Sequence, residues 1–192
     1  MVYNGAGIWD PDARVLLEER VLSNRVVDHV LELCDAHGLY PVVQSRGAKA
    51  CPPPPTPAME ASMVGMSELG RVAREDLPRE YLMRIAIYSE THASSDALRA
   101  LIEDSLTEPV YLTDFPLGML ACHRESRVVV VDVHPPCLGK GEALRVLEER
   151  DGIPRERVVA VGDASNDVPM LEMAGLGVAV QGSMEAAVQA AD

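Results

Sequence analysis

Three short stretches carry residue types that could do chemistry. The first is VVAVGDASNDVPML, in which an apolar run ends at Gly162 and leads directly into Asp163, with Asn166 and Asp167 following as a helical pattern begins. In an open parallel sheet, ligands bind just beyond the carboxyl ends of the strands. Two carboxylates on such a loop, with no Lys or Arg beside them in the sequence, suit a hard cation. Mg²⁺ takes one or two carboxylates and completes its octahedron with water and substrate phosphate. The same spacing also suits a plainer arrangement, in which Asp167 caps the helix and Asp163 lines a turn.

The second stretch is GKGEAL, residues 139–144, with Lys140 between two glycines where a helix begins. Free N–H groups and the helix dipole favour an anion there, and the lysine adds a full positive charge. It is not a P-loop, because His134 stands where the first glycine of that pattern belongs and Gly141 replaces its Ser or Thr. Taken alone, the stretch reads as a solvated lysine at a helix start. The third stretch, NGAGIWDPDARVLLEE, offers Asp10 and Asp12 two residues apart. This spacing could present a nucleophile and its proton partner, or it could be a turn rich in Asp and Pro.

Composition narrows the classes. The chain has 192 residues, 47% of them hydrophobic, which is ample for a buried core in one large domain or two small ones. A net charge of −13 argues against nucleic acid or an anionic membrane as the main partner. A small anionic substrate stays compatible with that charge, because one cation can dominate a pocket. No apolar run has the length of a membrane span, and no signal pattern opens the chain. Cys34, Cys51, Cys122 and Cys137 lack paired spacing, which predicts reduced thiols in a cytoplasmic protein. Of 17 basic residues only Lys49 and Lys140 are lysine, consistent with lysine being kept where a compact charge is needed.

The elements that must position these residues fall into two patterns. Residues 1–22 read as strand, turn, strand. Ser23 caps a helix that Gly38 closes, a short strand follows at 39–45, and the proline-rich 46–58 reads as a loop. Met59, Met63 and Met66 fall at helical spacing, best explained by packing. Strands at 81–89, at PVYLTD and at RVVVVDV, with a helix at 94–106, predict a mixed sheet with helices on one side. The last third reads helix (140–152), buried strand (157–162), helix (167–175), buried strand (GVAV) and helix. That order predicts a parallel sheet with right-handed crossovers.

The run KGEALRVLEERDGIPRERVVAVGDASNDVPMLEMAGLGVAV resembles the third and fourth motifs of the haloacid dehalogenase-like phosphohydrolases, in their Cof-like subfamily. The opening NGAGIWDPDARVLLEE resembles the point where that subfamily's chain enters a large C2-type cap. The resemblance implies an α/β fold: part of a Rossmann-like parallel-sheet core with an inserted α+β cap. It divides the chain into a core remnant and cap entry (1–9), a substrate-selecting cap (10–133) and the C-terminal half of the core (134–192).

It also implies roles. Lys140 becomes the catalytic, phosphate-binding lysine, Asp163 and Asp167 hold Mg²⁺, and Asn166 orients the lysine or the phosphate. The expected activity is Mg²⁺-dependent hydrolysis of a small phosphorylated metabolite, such as a sugar phosphate or phosphorylated cofactor, through a phospho-aspartate. The family's Asp-x-Asp-Gly-Thr motif is not found, since Ala13 and Arg14 follow Asp12, and the match of NGA to the cap entry places that motif upstream of residue 1. A strand and helix are likewise expected beyond Asp192. Two alternatives stay open: a divergent phosphatase using Asp10, Asp12 and Ser45, and a non-catalytic cap-like binding module.

Overall fold

The structure is a computed structural model, and it describes residues 2–192. The chain forms two compact units. One holds the residues up to Arg20 together with Pro136–Asp192, and the other is Val21–Pro135. The breaks therefore fall after Arg20 and after Pro135, whereas the sequence placed them after residues 9 and 133. Within the first unit the opening hairpin is tied to the later chain by Glu18 with Arg145 and by Arg20 with Glu142.

The second unit is built on a six-stranded sheet. Its strands are β3 (Tyr40–Ser45), β4 (Ala48–Cys51), β5 (Leu69–Arg71), β6 (Arg84–Ser89), β7 (Tyr111–Pro116) and β8 (Val129–His134), in the order β5-β4-β3-β6-β8-β7. All neighbours are antiparallel except β4 and β5. Helices α1 (Asn24–His37) and α3 (Ser95–Ser105) pack on one face over Leu31, Ile85, Ile87, Leu98 and Val131. Ser23 and Ser94 accept the N–H groups of Val26 and Ala97 as their caps. The other face is covered as well, by the methionines that the sequence assigned to packing. The short helix α2 (Pro57–Ser62) sets Met59 and Met63 against Tyr40, Val42, Tyr88 and Val130.

One local expectation fails for a physical reason. Residues 46–58 are not all loop: β4 occupies 48–51 because the prolines begin only at Pro52 and leave its N–H groups free to pair. Ser45 pairs with Ala48 across the Arg46–Gly47 turn, so it flanks a hairpin in the second unit.

The first unit begins with the hairpin of β1 (Gly7–Asp10) and β2 (Val15–Glu19). It resumes with α4 (Glu142–Asp151), β9 (Val159–Gly162), α5 (Val168–Met173), β10 (Leu176–Ala179) and α6 (Glu185–Ala190). β9 and β10 pair in parallel, with helices between and after them, as the spacing predicts. They are not buried strands, however. Ala160 faces inward onto Leu171 and Ala187, while Val159, Val161, Leu176 and Val178 are 37–59% exposed on the other side. The period of two splits a run that reads as uniformly apolar into a packed side and a solvent-facing side.

Candidate functional site

Lys140, Asp163, Asn166 and Asp167 all belong to the first unit. Lys140 lies in a 3₁₀ turn, Gly139–Gly141, that feeds α4. A side chain at Gly141 would meet Met173 Sδ at 2.5 Å and the Pro169 carbonyl at 3.3 Å, so this turn lies directly against α5. Asp163 leaves the end of β9, and Ser165–Asp167 is a 3₁₀ turn that starts α5. A β-carbon at Gly162 would lie 2.4 Å from Asp167 Cβ. Only glycine lets the strand end come so near that carboxylate.

Asp167 is buried and both of its oxygens are occupied. Oδ2 accepts from the N–H groups of Asp163 (2.8 Å) and Ala164 (3.2 Å), the capping contacts the sequence allowed. Oδ1 accepts from Lys140 Nζ, 27 residues earlier in the chain. Burial alone would raise the Asp167 carboxyl, but the Lys140 hydrogen bond and charge and the two backbone donors hold it below 3.8. The cap and the lysine contact therefore coexist at one side chain.

Asp163 is exposed and directs its main chain inward, where its carbonyl accepts from Met184 N–H at 2.8 Å. Asn166 Nδ2 donates to Asn4 Oδ1 at 3.3 Å. Its Oδ1 is buried and has no donor among the described residues. No three His, Cys, Asp or Glu side chains converge on one point among these residues. What the loop offers a cation is an all-oxygen set: one open carboxylate at Asp163, the buried amide oxygen of Asn166, and Asp167 Oδ1 in competition with Lys140. That set fits Mg²⁺, which needs few protein oxygens and keeps its waters.

Asp10 is placed differently. Its Oδ1 accepts from the N–H groups of Asp12 and Ala13, both at 3.0 Å, closing the turn between β1 and β2. The Ala13 donor, chief among these contacts, holds its carboxyl low although burial acts the other way. The residue lines a shallow cavity together with Val146, Leu147 and Arg150 of α4. No contact joins it to Lys140 or Asp167.

Sequence reasoning missed Asn4 and Glu142. Asn4 stands in left-handed backbone (φ 51°) within a turn that the sequence marks only by Asn-Gly, and its partner is 162 residues away.

Carboxylates on the loop after a parallel strand, with a lysine at a neighbouring helix start, lie where ligands bind in open α/β sheets. A family model described as haloacid dehalogenase-like hydrolase matches residues 1–192, and the chain belongs to that family. The chain is 38% identical over 63 residues to 5-amino-6-(5-phospho-D-ribitylamino)uracil phosphatase YitU of Bacillus subtilis; the match covers 33% of this chain and 23% of that protein. It is 36% identical over 84 residues to a phosphoglycolate phosphatase of Methanothrix thermoacetophila, covering 39% of this chain and 38% of the other. Each match thus takes in less than half of the relative's own length. The fold is similar to that of a solved HAD subclass IIB sugar phosphatase. The TM-score is 0.75 at 14% identity, over 98% of this chain and 66% of the other.

Proposed function

We propose that the chain takes part in Mg²⁺-dependent hydrolysis of phosphate monoesters of small metabolites, with sugar phosphates as the leading class. The observation that carries this is the Lys140–Asp167 contact at the end of β9, beside the open carboxylate of Asp163. Lys140 is the catalytic and phosphate-binding cation, held in place by Asp167. Asp163, with Asp167 Oδ1, holds Mg²⁺, and Asn166 orients the phosphate through its amide. Mg²⁺ bound there supplies neutralisation of the phosphoryl oxygens. Lys140 adds a second positive charge on a helix start whose N–H groups already favour an anion. The phosphatase names among the relatives support phosphate monoesters of small metabolites, and the sugar phosphatase of similar fold is the reason for ranking sugar phosphates first.

The second unit, residues 21–135, is the substrate-selecting cap in this proposal. The attacking aspartate, and the phospho-aspartate it forms, are assigned to no described residue. Asp10 is not given that role because its Oδ1 closes the hairpin turn and no contact joins it to Lys140 or Asp167.

The test is calorimetric titration with a panel of sugar phosphates, with Mg²⁺ and with EDTA, alongside a phosphate-release assay. Binding should require Mg²⁺, weaken about tenfold or more in Lys140→Met and Asp163→Asn, as loss of a charge-assisted contact implies, and survive Asp10→Asn. Turnover abolished by Asp10→Asn would move the chemistry to the hairpin. Binding indifferent to both Mg²⁺ and Lys140 would overturn the proposal.

A further inference from the structure

A buried carboxylate sits two residues past Lys140. The Glu142 side chain is 4% exposed, although it is an acid in the first turn of α4. Its two oxygens face opposite ways along the chain. Oε1 accepts the Leu138 N–H at 3.1 Å, four residues back. This closes a ring over residues 138–142 with Lys140 at its middle. Oε2 receives Arg145 Nε at 2.7 Å and lies 3.3 Å from Arg20 Nη2.

The two arginines are fixed in turn. Arg20 Nη1 donates to the Gly5 carbonyl at 3.0 Å and its Nη2 to Glu18 Oε2 at 3.2 Å. Arg145 donates to the same Glu18 oxygen at 2.7 Å and to Glu149 at 2.6 Å. A carboxylate used only to hold α4 against the hairpin would need the arginine contacts and nothing more. The Leu138 contact serves the lysine turn. Burial acts to raise the Glu142 carboxyl, but the Arg145 and Leu138 hydrogen bonds and the Arg20 charge outweigh it and keep it ionised.

We infer that Glu142 is a positioning residue: it clamps the Leu138–Glu142 turn so that Lys140 is presented to Asp167 and to the phosphate. Arg20 and Arg145 are the anchors through which the hairpin and α4 hold the clamp. This rests on Lys140 being the phosphate-binding lysine, but its test does not require phosphate to bind.

Lys49 and Lys140 are the only lysines, and Lys49 is a reference in the other unit, bonded through Nζ to the Ser67 carbonyl. Competitive acetylation of the full chain, read by mass spectrometry, gives the Lys140-to-Lys49 labelling ratio. Glu142→Gln should raise that ratio by roughly threefold to tenfold, the population shift expected when a part-buried charge-assisted clamp is lost. Glu149→Gln, which removes only an outer contact of Arg145, should leave it unchanged. If Glu142→Gln does not fold, Arg20→Gln should give a smaller rise.

An unchanged ratio in a folded Glu142→Gln protein overturns the inference, as does an equal rise in Glu149→Gln. Failure of the phosphate assignment shows elsewhere, as phosphate titrations that Lys140→Met does not alter.

Discussion

Each unit is held together internally by a different kind of force. In the second unit, apolar clusters line both faces of a six-stranded sheet, from Leu31, Ile87 and Leu98 on one side to Met59, Tyr88 and Val130 on the other. The first unit's buried cluster of Ala160, Leu171 and Ala187 is small, and its elements are joined by Glu142 with two arginines, by Asp167 with Lys140, and by Asn166 with Asn4. A large apolar core fixes shape without regard to charge. A polar framework fixes charged groups in place, which a phosphate site requires. The contrast teaches that the candidate chemistry sits where the structure spends ion pairs on position.

The contrast can be broken from either side. The largest effect is expected from Ile87→Ala, fully buried under α1 and α3, which should cost about 3 kcal/mol or more through lost burial and cavity formation. Hydrogen exchange should accelerate across residues 21–135. Equal acceleration in residues 136–192 would show that the units do not differ in the way described. Asp167→Asn is the counterpart in the first unit, and should cost roughly 2 kcal/mol by removing a buried charge from Lys140 and two N–H donors. Its effect on exchange should be confined to the first unit.

Acid separates the two by range. Burial, and secondarily the Arg84 charge, push His134 in the second unit down to about 3. The unfolded chain protonates this histidine near 6.5 while the folded chain does not, so stability falls as pH drops below 6.5. The slope approaches about 1.4 kcal/mol per pH unit. The Asp167 carboxyl is instead held below 3.8, so its contribution in the first unit persists through that range and is lost only as pH falls further. Unfolding followed by amide signals from each unit between pH 7 and 4 should show the second unit weakening first. His134→Gln should remove that early loss.

Much of this was legible in the sequence because it is local. Ser23 and Ser94 cap helices where an apolar stripe begins, and the strand-helix alternation after residue 140 dictates parallel pairing of β9 and β10. The GKG and GDASND stretches carried the family resemblance, and the family match spans residues 1–192. What stayed hidden depends on distant partners. Asp167 reads as a cap or as a ligand, and nothing local announces that Lys140 takes one of its oxygens. Glu142 reads as an ordinary first-turn acid, because Arg20 lies 122 residues earlier. β4 was obscured by prolines that follow it rather than interrupt it.

The central proposal, that Asp163 and Asp167 hold a cation beside Lys140, is tested most directly by titrating Mn²⁺ into the isotope-labelled chain and following amide signals. The account predicts early paramagnetic broadening at residues 162–167 and at Lys140, displaced by excess Mg²⁺ and weakened in Asp163→Asn. Broadening that begins instead at the hairpin carboxylates Asp10 and Asp12, or that Asp163→Asn leaves unchanged, would contradict it.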